Sequence, residues 1–229
     1  MPDVYAQEYL NVPLDEANSF FKTIDFKSMK DEDRDKAKEY YITVDLAISE
    51  KERADYTVFL IGGMDEDRIL YVTNIIRDRI DGQQIVETMI ALQKAYEPVA
   101  FGVEEGQISK SIMPFLNEQM ISSGQFLNLY SLKPSVDKQT RARSIQARMR
   151  AGAVKFDKNS DWYQTLEDEC VRFPRDKHDD QVDALAYLGQ MIDKMVEAPT
   201  IQEIQDIEYH DEYARSGLFE SGRNQVTGY

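Results

Sequence analysis

The residues with the most chemistry to offer stand in His178-Asp179-Asp180-Gln181-Val182-Asp183-Ala184-Leu185-Ala186-Tyr187-Leu188. Pro174 lies just upstream, and an apolar period of three to four follows through Val182, Leu185, Leu188, Ile192 and Met195. That pattern predicts the start of a helix. At 100° per residue, Asp180 and Asp183 lie one turn apart and Asp179 flanks Asp183. The three share an arc roughly opposite Val182, Leu185 and Ile192. Like charges at this spacing destabilise a helix by about 0.2–0.5 kcal/mol per pair. Acids in a first turn recover about 0.3–1 kcal/mol each from the helix dipole, so an ordinary helix start accounts for them equally well. What separates the readings is whether acids elsewhere end strands that could meet this face.

Two strand ends supply such acids. Tyr40-Tyr41-Ile42-Thr43-Val44-Asp45-Leu46-Ala47-Ile48 is a nearly continuous apolar, β-branched run, the pattern of a central strand buried on both faces. Asp45 interrupts it. A buried acid is costly unless it is paired or binds a metal, although a buried Asp can also cap a nearby loop. Further on, Val99–Val103 reads as a short buried strand that delivers Glu104 and Glu105 into Gly106. Open α/β sheets place their sites at such strand ends.

The elements that must position these acids follow in order. Asp55–Gly63 and Arg68–Arg77 read as strands joined by a tight turn at Met64-Asp65-Glu66-Asp67, so three antiparallel strands open the domain. Gly82–Tyr96 and Ser109–Ser122 have helical spacing, Phe126–Leu132 alternates as a strand, and Lys133-Pro134 breaks it. The basic segment to Arg150 reads as a helix, Ala153–Phe156 as a short edge strand and Trp162–Cys170 as a short helix. Residues 1–38 read as an extension or linker, partly ordered by its aromatics. Residues 39–198 form the globular domain, and residues 199–229 an acidic tail without a sustained apolar period.

Composition narrows the class. With 229 residues and a 42% apolar share the chain can pack one substantial domain. It has no membrane-length apolar run and no secretory pattern, and its single cysteine, Cys170, suits a reducing compartment. A soluble intracellular protein with no membrane partner is expected. Net charge is −15, which argues against indiscriminate nucleic-acid binding. The segment from Lys133 to Lys155 is different, with seven basic residues and one acid, Asp137. Such a stretch can bind a polyanion locally, or be a solvated helix face.

Carboxylates without supporting Cys or His pairs select Mg²⁺ or Mn²⁺ over Zn²⁺. Two such ions activate water and stabilise the leaving oxygen in phosphodiester hydrolysis, and they relieve the repulsion among converging acids. Residues and chemistry together point to metal-dependent phosphoryl transfer.

Val44-Asp45-Leu46-Ala47, Asp55-Tyr56-Thr57, Val103-Glu104-Glu105-Gly106 and His178–Leu185, in this order and spacing, resemble the C-terminal nuclease domain of tailed-bacteriophage terminase large subunits. The resemblance covers about residues 40–195, and residues 4–26 look like the stretch that joins the family's ATPase half to its nuclease. It implies a ribonuclease H-like α/β fold: a mixed central sheet of three antiparallel strands then βαβ units, flanked by helices. It implies that Asp45 bridges two ions, Glu104 supplies the second carboxylate, and Asp180 with Asp179 or Asp183 completes the set. Glu105 is the alternate to Glu104. His178 is either an assistant in protonation or a helix-start residue held by hydrogen bonds.

By the same resemblance, the function is cleavage of concatemeric viral DNA during head packaging, in the host cell cytoplasm. Its partners are double-stranded DNA, a terminase ATPase domain or subunit, the small terminase subunit and a portal. Lys133, Lys138, Arg141, Arg143, Arg148 and Arg150 are the expected phosphate contacts. No G-x-x-x-x-G-K-[ST] loop is present, so no ATPase activity of that kind is expected from these residues. The alternatives are another ribonuclease H-fold nuclease, such as a Holliday-junction resolvase, and a non-catalytic packaging-motor assembly module.

Overall fold

The computed structural model describes residues 19–47, 56–133, 137–175, 179–196 and 201–215. Among them, one seven-stranded mixed sheet contains β1 (Lys27–Ser28), β2 (Glu39–Asp45), β3 (Thr57–Met64), β4 (Leu70–Asp78), β5 (Ala100–Glu104), β6 (Leu129–Leu132) and β7 (Val154–Phe156). Their spatial order is β1-β7-β4-β3-β2-β5-β6. The β2–β3–β4 stretch is an antiparallel meander, whereas β5 runs parallel to β2, β6 to β5, β7 to β4 and β1 to β7. The helices are α1 (Asp31–Asp35), α2 (Gly82–Tyr96), α3 (Gln107–Ser123), α4 (Lys138–Arg150), α5 (Tyr163–Arg172), α6 (Asp180–Met195) and α7 (Ile201–Arg215).

The apolar run of β2 has a direct cause: helices cover both faces of the sheet. Ile42 and Val44 join Phe59, Ile61 and Phe101 in a core closed by Ile85, Val86 and Met89 of α2 and Ile112 and Leu116 of α3. Tyr41, Val58, Leu60 and Val72 belong to a second core, filled by Ile145 and Met149 of α4, Leu166 of α5 and Leu185, Leu188 and Ile192 of α6. Each such side chain contributes about 1.5–3 kcal/mol on burial.

α6 is the central helix of this second layer. Thr43 is fully buried and donates its hydroxyl to the Ala184 carbonyl at 2.8 Å, pinning α6 across β2. Gly189 lets α6 press on α4, since a Cβ there would sit 2.9 Å from the Ile145 backbone nitrogen. Buried residues run from Asp180 to Gly189, so the acids do not lie on a solvated face.

Residues on both sides of the expected 39–198 domain pack against the sheet. Phe21 is fully buried and packs in the second core with Phe26, and β1 pairs with β7, so β7 is not an edge. On α1, Asp33 accepts from the Tyr71 hydroxyl at 3.1 Å and from Lys155 Nζ at 2.9 Å. Residues 201–215 form α7 within the expected tail; Ile204 is buried beside Ile69, Tyr71 and Ala153, and Glu203 pairs with Arg68 at 2.5 Å. Both segments lack an apolar period because each docks through isolated side chains. Among the described residues, no helix is long and apolar enough to cross a membrane.

Candidate active site

Val44 and Val103 are register partners across β2 and β5, and Asp45 and Glu104 are the next residues along each strand. Parallel pairing thus sends both carboxylates off the same edge of the sheet. The start of α6 crosses that edge. Asp180 and Asp183 are each 8% exposed, and the Tyr56 backbone N–H donates to Asp180 Oδ2 at 3.4 Å.

Electrostatics record the convergence. Burial first, then the charges of Asp183, Asp180 and Glu104, push the Asp45 carboxyl up to about 8, with Lys138 opposing. Burial also raises the Asp183 carboxyl, against the contacts with Lys138 and Arg141. Burial disfavours the Lys138 ammonium, but its bonds to Asp179 and Asp183 outweigh this and hold it above its ordinary value. Lys138 Nζ lies 2.6 Å from both Asp179 Oδ1 and Asp183 Oδ2.

A buried polar network stands behind the carboxylates. Arg141 Nη2 reaches Asp183 Oδ1 at 3.1 Å, while Nη1 donates to the Tyr187 hydroxyl. That hydroxyl donates in turn to Glu104 Oε2. One guanidinium and one phenol therefore tie the acid of α6 to the acid of β5. Both side chains are buried, and their bonds hold the two carboxylates in place, while Arg141 Nε has no hydrogen-bond partner among the described residues.

Among the described residues, no group of three or more His, Cys, Asp or Glu side chains forms a ready-made metal cage. The donor chemistry nevertheless fits a hard divalent cation. The groups that could ligate are carboxylates, and the raised Asp45 carboxyl records an excess of negative charge that a cation would relieve. Asp45, Glu104, Asp180 and Asp183 are the residues that could hold it, with Lys138 supplying positive charge at Asp183.

The other expected site residues are distributed unevenly. Asp179 faces Lys138, and Glu105 is exposed and accepts from Ser131 Oγ at 2.5 Å. His178 lies outside the described residues. Lys133, Lys138 and Arg143 are exposed. Arg141 and Arg148 are buried, with their charges turned toward carboxylates of α6. Arg141 serves the carboxylates, and Arg148 bonds Asp193 at 3.2 Å and the Val196 carbonyl at 3.0 Å. Arg150 stands 3.9 Å from Asp25 and 3.5 Å from the Phe20 carbonyl, at the N-terminal segment. The expected solvated basic face is thus partly a buried helix–helix seam.

Four contributors went unseen in the sequence. Tyr187 sits inside an apolar period and reads there as core; its hydroxyl, which needs a partner when buried, was the available signal. Glu169 accepts from the Gln181 backbone N–H at 3.1 Å and caps the first turn of α6 from another helix. Arg77 and Arg79 place their guanidinium carbons 3.6 and 3.9 Å from the centre of the Tyr56 ring.

Residues 42–191 match the family model described as Terminase RNaseH-like domain. The nuclease domain of the Thermus phage P74-26 large terminase is similar in structure, with 19% identity, TM-score 0.53, and coverage of 74% of this chain and 93% of that one. The large terminase nuclease of thermophilic phage G20c is similar in its magnesium-bound form, with 17% identity, TM-score 0.51, and coverage of 72% and 84%. Its cobalt-bound form gives 18% identity, TM-score 0.53, and coverage of 76% and 97%. No curated protein matches the chain. With a match over most of its length, a mixed sheet flanked by helices and acids at adjoining strand ends, the chain belongs to the terminase RNaseH-like domain family and has a ribonuclease H-like fold.

Proposed function

We propose that the chain is a divalent-metal-dependent endonuclease that cuts concatemeric viral DNA during genome packaging in the host cell cytoplasm. The observation that carries this reading is the meeting of Asp45 with the charges of Asp183, Asp180 and Glu104 at one sheet edge. Asp45, Glu104, Asp180 and Asp183 would hold two Mg²⁺ or Mn²⁺ ions; the structures of similar nucleases with magnesium and cobalt support a divalent cation. When bound, such ions activate a water and stabilise the leaving oxygen of a phosphodiester.

The chain's own residues prepare the site. Arg141 and Tyr187 hold the Asp183 and Glu104 carboxylates in fixed orientation, so less reorganisation remains for the reaction. Lys138 neutralises part of the acid cluster and lets a phosphate approach an edge that would otherwise repel it. Thr43 fixes α6 on β2 and so fixes the spacing of Asp183 from Asp45.

Double-stranded DNA is the substrate of this reading, and the motor, small terminase subunit and portal are its partners. The sequence has no phosphate-cradling G-x-x-x-x-G-K-[ST] loop, which supports assigning ATP hydrolysis to a separate domain or subunit. Incubation of supercoiled plasmid in EDTA, Mg²⁺ or Mn²⁺ tests the reading. Nicking and linearisation are expected only with an ion; cleavage in EDTA, or none in any condition, contradicts it.

A further inference from the structure

We propose that Tyr56, Arg77 and Arg79 form a phosphate-binding rim for the DNA strand at the carboxylate cluster, so that the duplex crosses the start of β3 and the end of β4 rather than following α4. This rests on the nuclease reading above.

The first observation is where the cations of α4 have gone. Arg141 and Arg148 are buried, and Arg150 is engaged with Asp25 and the Phe20 carbonyl. A duplex laid along α4 would meet Lys138, Arg143 and Arg150 but neither Arg141 nor Arg148. Lys138, at the first residue of α4, is exposed and reaches the acids beside the buried Arg141.

The second observation is the geometry at the sheet edge. Tyr56 immediately precedes β3, and its backbone N–H bonds Asp180 at 3.4 Å, which ties it to the site. Arg77 and Arg79 stand two residues apart on β4 and its continuation, so their side chains leave the same face. Both guanidiniums are held over the Tyr56 ring, at 3.6 and 3.9 Å from its centre. Glu169 steadies Arg77 at 3.2 Å, and the same carboxylate caps α6 at Gln181.

Two guanidiniums gathered over one ring, one of them bonded to Glu169, concentrate positive charge and N–H donors at a surface that a phosphate can meet. Stacking also orders the long arginine side chains in advance, so less freedom is lost when an anion binds. The planar guanidinium fork matches a phosphate. Both arginines remain partly exposed. Together with Lys138 they set cations beside an acid cluster in a chain of net charge −15. Phosphates on either side of the cleaved bond would find those cations there.

The experiment measures binding of a short fluorescent duplex by anisotropy over a series of salt concentrations, with Ca²⁺ as the oxygen-seeking ion and product checked on gels. Wild type, Arg79→Ala, Arg79→Lys and Arg150→Ala are compared, each shown folded by circular dichroism. Arg79→Ala is expected to weaken binding about five- to ten-fold and to lower the slope of log K against log salt by about 1. Arg79→Lys should retain most of the slope, and Arg150→Ala should match wild type. A wild-type slope in Arg79→Ala, a larger loss in Arg150→Ala, or no duplex binding by wild type would overturn the proposal. Plasmid cleavage is read in parallel: intact metal-dependent cleavage with an unchanged Arg79→Ala slope removes the rim and leaves the nuclease standing. Absence of cleavage with the expected slope change removes the nuclease reading and leaves an anion-binding rim.

Discussion

Asp45 and Glu104 leave the sheet side by side, because each follows directly on one member of the Val44–Val103 register pair. Sixty residues of meander and helix separate them in the chain, roughly, yet one parallel pairing fixes their relation. α6 adds Asp180 and Asp183 by crossing the same edge, pinned through Thr43 and the Ala184 carbonyl. The site is thus built on neighbouring strands of the central sheet.

Stability without metal should depend on pH through Asp45. Its carboxyl is raised from 3.8 to about 8 by burial and by the neighbouring acids. The folded protein therefore keeps a proton that the unfolded chain releases near 3.8. The stabilisation is complete below that value and is lost as pH rises through about 8. In EDTA, Tm should fall between pH 5 and pH 8, and Asp45→Asn should flatten the fall. At pH 8 the variant should melt about 2–4 °C higher, the shift that ~1 kcal/mol gives in a domain of this size. Thermal melts check this; an equal Tm difference at both pH values contradicts it.

Tyr187→Phe removes the hydroxyl that joins Arg141 to Glu104. Loss of these two hydrogen bonds should cost about 1–3 kcal/mol in a urea titration. Cleavage should fall about tenfold, an effect of ~1.4 kcal/mol on the barrier, and need more metal for half-maximal rate. A parallel loss of rate with unchanged metal dependence would make the tyrosine a packing residue only.

Phe21→Ala tests whether the N-terminal segment belongs to the domain. The ring is fully buried, 5.0 Å from Phe20 and 6.1 Å from Phe173 between ring centres. A loss of about 3–5 kcal/mol is expected for a buried aromatic. An unchanged urea midpoint would return residues 19–38 to the status of a linker.

The parts legible in the sequence were those written in local periodicity. The β2 run, the hairpin at Asp65, the α2 spacing and the break before α4 each follow from a few neighbouring residues. Asp45 stood out because a charge interrupts an apolar strand, and Glu104 because a strand ends there. Long-range pairing was not legible. Arg141 and Arg148 look alike in a basic run, and only the close crossing at Gly189 and Ile145 turns them inward. Ile204 and Phe21 dock singly, and a single docked side chain leaves no periodic signal.

The most direct measurement is the initial rate of supercoiled plasmid cleavage in Mn²⁺ by wild type and by Asp45→Ala, with both proteins shown folded. The wild type should nick and linearise the plasmid, and the variant should lose at least about a thousandfold of that rate, ~4 kcal/mol of barrier, because the carboxylate on which the other three charges act is gone. Cleavage by Asp45→Ala at the wild-type rate would contradict the claim that this sheet edge is where the phosphodiester is cut.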